Sequence, residues 1–456
     1  MIQSILFIVI AGLAFYFAGR NFLKIRRNIF LGKEEPIEGN KAERLRNVLL
    51  VAFGQKKMFK NWIPAVFHFF IYAAFLLTQI ELIEIFIDGI FGVHRFFAPI
   101  LGGFYTFLIN LIEILSLLAF VATVIFLLRR NVLKIPRFQK TEMKGWPSLD
   151  ANLILFGEIL LLTGIFSMNG ADVLLQNIRP EHYPPTGTLA VSSWLGPALF
   201  GGMSESALVL LERFGWWLHI LVVFGFLNYL PFSKHLHIFL AFPNTYYARL
   251  WPKGRMSNMP EIMNEVKSMM GFPDAAPSQM AESGELSVFG ANDVFSLSWK
   301  NILDAYSCTE CGRCTAACPA NLTGKKLSPR KIMMDVRDRA EEIGKKLDSG
   351  REDYMKPEKK GSEKLSAANF DDGRSLFDYI SREEIHACTT CNACVEACPV
   401  LINPLDIILQ IRRYEILTES AGPGDWLPLF NSIENGGSAW QIADDRDKWA
   451  REAMRV

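Results

Sequence analysis

The sequence predicts an all-α protein in two parts. A five-helix transmembrane bundle over residues 1–245 is followed, after a linker over 246–294, by an α-helical domain over 295–425. Three observations carry this expectation. Apolar residues crowd into the first 245 positions, in five runs near the ~20 residues that a bilayer requires. Charged residues lie mostly in the remainder. All eight cysteines fall between Cys308 and Cys398, in two matching runs amid helical periodicity and scarce strand signals. The formal net charge of +1 gives no support to a nucleic-acid partner.

The first apolar run covers residues 2–19, and Arg20, Lys24, Arg26 and Arg27 come after it. A cleaved secretory signal carries its positive charge ahead of the run, so a retained helix with its N-terminus outside is expected. Residues 20–60 are basic and hold an apolar patch from Val48 to Phe53, a composition suited to the membrane surface. Further spans are expected at 62–86, at 102–128 before Arg129-Arg130, at 151–168 and, after a Pro- and Gly-rich loop, at 214–240. Residues 20–60 and 129–144 are rich in Lys and Arg, whereas 88–102 and 169–206 carry only Arg95 and Arg179. The positive-inside rule then places the domain after the bundle in the cytoplasm, on an inner-membrane protein.

The cysteine runs are Cys308-Thr-Glu-Cys311-Gly-Arg-Cys314-Thr-Ala-Ala-Cys318-Pro319 and Cys388-Thr-Thr-Cys391-Asn-Ala-Cys394-Val-Glu-Ala-Cys398-Pro399. Both read C-x2-C-x2-C-x3-C-P, the spacing of bacterial ferredoxins that bind two [4Fe–4S] clusters. Three thiolates a turn apart reach three irons of one cubane, and the fourth ligates the other cluster. One cluster is thus assigned to Cys308, Cys311, Cys314 and Cys398, and the second to Cys388, Cys391, Cys394 and Cys318. Zinc has no need of the third spacing or of the proline. Disulfides need an oxidising compartment.

Around the runs the pattern is helical. Trp299–Ala305 leads into the first run, Lys331–Lys346 has apolar residues at helical spacing, and Pro404–Leu417 reads as an amphipathic helix. Residues 349–365 are polar and expected to be mobile. The tail 426–456, with Trp426, Trp440 and Trp449, carries no motif and is a candidate partner contact.

The histidines sort by depth. His68 lies in the second span among Phe and Ile, where an ionisable group is costly and marks a functional candidate. His219 follows Trp216-Trp217-Leu218, and His235 and His237 sit in Ser233-Lys234-His235-Leu236-His237 at the cytoplasmic end of the fifth span. On one continuous helix, the 18 residues from His219 to His237 make five full turns. Both would then share a face, about 27 Å apart, close to the ~30 Å hydrocarbon thickness. His68 matches the depth of His235 or His237, and phase favours His237, although Pro231 is placed to kink the helix. A bis-histidine haem b between spans two and five is the expectation. The bland alternatives are a buried hydrogen-bonding histidine for His68 and a solvated interfacial face for His235. His219 lacks a clear axial partner: Thr78 stands at the expected depth, with His94 and Met168 as weak substitutes, and a quinone beside His219 is the other option. His182 and His386 read as exposed loop residues.

These features resemble known families. Five spans with histidines 18 apart on the fifth resemble the haem-b γ subunit of respiratory nitrate reductase. The cysteine domain resembles the C and D subunits of heterodisulfide reductase, whose clusters sit in a helical ferredoxin fold. Together they are similar to bacterial membrane-bound iron–sulfur oxidoreductases of the heterodisulfide-reductase-like group. Trp216–His219, Pro231–His237 and Trp299 through Pro319 carry that likeness. The resemblance implies electron transfer between electron-transfer flavoprotein and menaquinone or another quinone. The γ subunit has a second histidine on span two and this chain has none, so one haem is expected. Larger members add cysteine-rich CCG modules. No Cys-Cys pair occurs here, which puts such a module on another polypeptide.

The expected function is therefore a membrane electron-transfer subunit linking a cytoplasmic partner to the quinone pool. A membrane-anchored iron–sulfur sensor is the alternative, and the intramembrane His68 speaks against it. Quinone chemistry also needs protons, for which Glu81, Glu84 and Glu113 in the spans are candidates, with interfacial exposure as the bland reading.

Overall fold

The computed structural model describes residues 1–252, 254–272, 288–440 and 447–454. Parts of the expected linker and tail lie outside these residues. Among the described residues, five helices are long and apolar enough to cross a membrane: α1 (Ile2–Ile29), α2 (Trp62–Phe91), α3 (Gly103–Asn131), α4 (Trp146–Ile178) and α6 (Glu205–Tyr229) with its extension to Phe232. A shorter helix, α5 (Ser192–Phe200), lies between the last two. Large apolar side chains such as Leu13, Ile83, Phe107 and Leu210 point outward, as lipid contact requires.

The helices outrun the apolar cores that mark them in the sequence. Helix α4 runs past both ends of 151–168 because its polar residues turn inward: Asp150, Asn169 and Asp172 are all buried. Helix α6 starts at Glu205, not near 214, where Ser204 caps it by accepting the Ala207 N–H. Its far end corrects the continuous span to residue 240. The α-helix stops at Tyr229, and two 3₁₀ turns (Leu230–Phe232 and Lys234–Leu236) lead to α7 (His237–Tyr246). Pro231 has no N–H to give the helix. Asp150 of α4 captures the turn, accepting from the Tyr229 hydroxyl at 2.5 Å, the Ser233 hydroxyl at 2.7 Å and the Lys234 N–H at 3.1 Å.

Helices α4 and α6 cross at two glycines. A Cβ on Gly215 would stand 2.7 Å from the Gly164 carbonyl oxygen, and one on Gly164 would stand 3.1 Å from the His219 nitrogen. Small residues permit this backbone approach in a bilayer, where apolar side chains gain little by association. Phe7 of α1 is buried against Phe86 of α2 and Trp216 of α6, with ring centroids 5.5 and 5.6 Å away.

The second part is helical throughout, and only two isolated bridges occur among the described residues. Its helices include α8 (Trp299–Tyr306), α9 (Arg313–Ala317), α10 (Pro329–Ser349), α11 (Ala393–Ala397) and α12 (Pro404–Arg413). Helix α10 has Ser328 as its cap, Pro329 in its first turn and Gly350 at φ +65° past its end. Its apolar stripe of Ile332, Val336 and Ile343 is fully buried. The polar stretch expected to be mobile is pinned: Met355 is buried, and the Lys356 N–H donates to the Asn369 carbonyl at 2.9 Å.

This domain docks on the end of the bundle where α1 and α3 finish and α2 and α4 begin. Asn28 donates to the Tyr306 hydroxyl at 3.0 Å, and Arg27 pairs with Asp348. Arg330 donates to the Arg137 carbonyl at 2.8 Å and to Glu142 at 2.7 Å. The basic stretches 20–60 and 129–144 thus lie at the same end as the cysteine domain. Part of the expected linker is tied down as well, since Arg249 pairs with Glu35 at 2.8 Å and with Asp406 at 2.9 Å.

Candidate functional site

The two cysteine runs fold into the same loop twice. In the first, Glu310 and Gly312 adopt φ +53° and +72°; in the second, Thr390 and Asn392 adopt +56° and +61°. Gly and Asn suit the left-handed region, and Glu and Thr do so only when the surroundings hold them. Here the Glu310 and Thr390 N–H groups point at the sulfurs of Cys308 and Cys388, both at 3.4 Å. The short helices α9 and α11 follow and pack on each other.

Cys308, Cys311, Cys314 and Cys398 line one cavity. In the other set, Cys318 and Cys391 are electrostatic neighbours of both Cys388 and Cys394. The structure therefore brings the fourth cysteine of each run to the other run's first three. Burial pushes Cys308 up to about 12, with the Glu310 carboxylate and then the neighbouring thiols adding to it, and burial does the same for Cys394 and Cys398. Buried thiols side by side in one cavity, as Cys308 and Cys398 are, do not ionise unaided, and a cationic iron–sulfur core would reverse that balance. Among the described residues no three His, Cys, Asp or Glu converge to hold a single metal ion. Thiolates of a cubane sit on separate irons and surround the cluster, so this donor set fits clusters.

His68, His235 and His237 meet at the docked end of the bundle. His237 lies close enough to act electrostatically on both His68 and His235. The rings of His235 and His237 are 5.8 Å apart. The phase argument for His237 does not survive the break after Tyr229, so proximity now carries the pairing. Nδ1 of His68 faces Gln55 Oε1 at 3.2 Å, that of His237 the Lys234 carbonyl at 3.0 Å, and that of His219 the Leu161 carbonyl at 3.3 Å. A held Nδ1–H leaves Nε2 as the free ring nitrogen, the arrangement that axial ligands adopt. His235 Nδ1 is buried with no hydrogen-bond partner. These imidazoles fit a haem iron. His219 gains no partner: Thr78 donates to its own helix at Phe75, His94 bonds Asp172, and Met168 packs in the apolar cluster around Trp216.

Charged side chains join the two sites. Lys234, between Ser233 and His235, pairs with Glu310 of the first cysteine loop, and Glu310 also pairs with Arg337 at 2.8 Å. Burial opposes the Glu310 charge, but Lys234 and Arg337 hold it below the usual carboxylate range. Arg313 of the first run donates to the carbonyls of Lys57 and Met58 at 3.4 and 3.3 Å, just before α2 and His68. Lys57 reaches the Val395 carbonyl of the second run at 3.4 Å.

Other residues fall outside the expectations. His182 is exposed as expected, but His386 is not: it is mostly buried, bonds Glu415 at 2.8 Å and stacks edgewise on Trp426. Glu158 stands on α4, one turn from the Leu161 that holds His219; a lone carboxylate in an apolar span was its readable signal. Glu81, Glu84 and Glu113 are buried, not interfacial, at the opposite end of the bundle from the cysteines.

Membrane-length helices joined to two four-cysteine sets define a membrane protein with a 4Fe-4S dicluster domain. Residues 307–402 match the 4Fe-4S dicluster domain family, which supports two [4Fe–4S] clusters. The chain is 28% identical over 473 aligned residues to the "Probable iron-sulfur-binding oxidoreductase FadF" of Bacillus subtilis (strain 168), covering 99% of this chain and 61% of that protein. It is 25% identical to the "EtfAB:quinone oxidoreductase" of Syntrophomonas wolfei, covering 90% of this chain and 54% of the relative. Over 32% of its length it is 33% identical to a "Probable membrane-anchored ferredoxin" of Chromohalobacter salexigens, covering 21% of that protein. The chain thus spans little more than half the length of its two long relatives. No solved structure matches it.

Proposed function

We propose that the chain is the membrane electron-transfer subunit of a quinone-linked oxidoreductase. It passes electrons between a redox partner on the dicluster side and menaquinone or another quinone. Bound to this chain, two [4Fe–4S] clusters and one haem b supply one-electron redox sites. The Lys234–Glu310 pair carries this reading, because it fastens the histidine turn to the first cysteine loop. Cys308, Cys311, Cys314 and Cys398 hold one cluster, and Cys388, Cys391, Cys394 and Cys318 the other. His68 with His237 or His235 holds the haem iron. His219, the buried histidine further from the dicluster end, borders the quinone or a second haem.

The basic segments at the docked end support a cytoplasmic dicluster domain under the positive-inside rule. The quinone oxidoreductase among the relatives supports electron-transfer flavoprotein as the soluble partner. We also propose a CCG-bearing module as a redox partner, and the exposed helix α13 (Trp426–Gly436) as a contact for it.

An optical spectrum tests the reading. Reduced purified protein should show a haem-b α band that His68→Ala removes while the clusters remain. A wild-type spectrum without haem overturns the haem and, with it, the proposed route to quinone.

A further inference from the structure

The far end of the bundle carries a buried charged network that the proposed electron route does not use. Glu81 and Glu84 come from α2, Glu113 from α3, Asn169 and Asp172 from α4, and Arg95 from the loop after α2. All are at most 3% exposed.

Most of these carboxylates are matched. Glu84 accepts the Phe97 N–H at 2.8 Å and the Tyr105 hydroxyl at 2.7 Å. Glu113 accepts the N–H groups of Val191 and Ser192 at 2.8 and 3.1 Å at the start of α5, the Ser192 hydroxyl, and the Asn169 amide at 3.3 Å. Asp172 takes the Arg95 guanidinium at 3.2 Å, Gln176 at 3.2 Å and His94 at 2.9 Å. Asp88 accepts the N–H groups of Arg95 and Phe96 at 2.8 and 3.2 Å. Glu212 is paired with Arg213.

Glu81 differs. Its Oε1 is buried with no hydrogen-bond partner, and its nearest cation, Arg95, stands 3.8 Å away and is already committed to Asp172. An ionised Glu81 would add a third negative charge to those of Glu84 and Glu113, with the Asn169 amide nearby but no guanidinium of its own. Buried charge without a partner is costly inside a membrane, so the favourable state of this carboxyl at rest is the neutral acid. Arg95 remains near enough to hold the carboxylate for a short time. His94 and Asp88 are partly exposed and open the network to solvent.

We infer that Glu81 holds an exchangeable proton at the end of the bundle remote from the dicluster domain and relays it to quinone during reduction. The inference rests on the quinone reading above. A quinone takes two electrons from the dicluster side and two protons to become a quinol. Glu81 gives one proton and becomes a carboxylate beside Arg95. It is refilled from solvent past His94 and Asp88, then gives the second. Quinol oxidation runs the same exchange backwards.

The test compares wild type, Glu81→Gln and Glu81→Asp as full-length holoprotein in lipid nanodiscs loaded with menaquinone. Wild type should show an infrared carboxylic-acid C=O band that shifts in heavy water and is absent from Glu81→Gln. Iron content and thermal stability should be unchanged in Glu81→Gln, because a neutral group replaces a neutral group. Its rate of menaquinone reduction from dithionite should fall by about 100-fold, as loss of a positioned proton donor does, and Glu81→Asp should recover most of it. A band that survives in Glu81→Gln, an unchanged rate, or a Glu81→Gln variant that no longer folds each overturns the proposal; the last would mean that a charge is required there. If wild type passes no electrons to menaquinone, the quinone reading falls, and the infrared band still decides whether Glu81 holds a proton.

Discussion

The crossing of the fourth cysteines yields a prediction with countable outcomes. Cys398 lies in the second run, yet it lines the cavity of Cys308, Cys311 and Cys314. Its sulfur accepts the Ile402 N–H at 3.3 Å, so it is aimed by its own loop toward the other run. Beyond the haem iron, two full clusters bring about eight irons and eight sulfides per chain, and the counts that follow are of this cluster iron. Cys398→Ser should cost the first cluster and leave about four of each. Pairwise substitution then reveals which run Cys398 serves, by the logic of non-additive neighbours. Cys308→Ser with Cys398→Ser removes two ligands of one cluster and should again leave about four irons. Cys388→Ser with Cys398→Ser strikes both clusters and should leave almost none. Iron and sulfide analysis of anaerobically purified protein, with electron paramagnetic resonance of the reduced samples, measures this. If Cys388→Ser with Cys398→Ser keeps one cluster while Cys308→Ser with Cys398→Ser keeps none, each run ligates its own cubane and the crossing is wrong.

Glu310→Gln leaves Lys234 and Arg337 buried with a neutral partner; a loss of about 3–5 kcal/mol is expected, as for a broken buried ion pair, seen as faster hydrogen exchange over residues 230–237. Gly215→Leu forces a side chain into a crossing where a Cβ would already stand 2.7 Å from the α4 backbone; a cost of at least about 1–3 kcal/mol should appear in thermal melts. Burial pushes the Asp372 carboxyl up, but Arg339 and Lys346 outweigh it and hold it well below the usual carboxylate range. The folded value thus lies below the unfolded one, so this contribution is complete above about pH 4 and is lost as pH falls toward the folded value. Asp372→Asn should therefore destabilise the dicluster domain at neutral pH, and its melting temperature should approach that of wild type as the pH is lowered below 4, a convergence that pH-dependent melts will show or refute.

Helix type, span number and the two cysteine sets were legible because each rests on local signals: apolar length, ligand spacing and the proline after each run. The span limits were less legible, since Asp150, Asn169 and Asp172 look like helix ends and are in fact inward-facing members of α4. The histidine phase failed for a related reason. Pro231 warned of a kink, but only the distant Asp150 shows that the chain stops being α-helical there and turns. Lys234 and Glu310 are 76 residues apart, and no periodicity links them. His386 looked exposed because its partners, Glu415 and Trp426, arrive from later in the chain.

The most direct test of the account uses menaquinone confined to lipid, so that it cannot meet the dicluster domain from solution. Protein in menaquinone-loaded nanodiscs is reduced with a limiting amount of dithionite, and the cluster signals are followed by electron paramagnetic resonance after rapid freezing. The clusters should reoxidise within the wild-type sample and stay reduced in His68→Ala. Clusters that remain reduced in wild type, or that reoxidise at the same rate without His68, would contradict electron passage through the bundle.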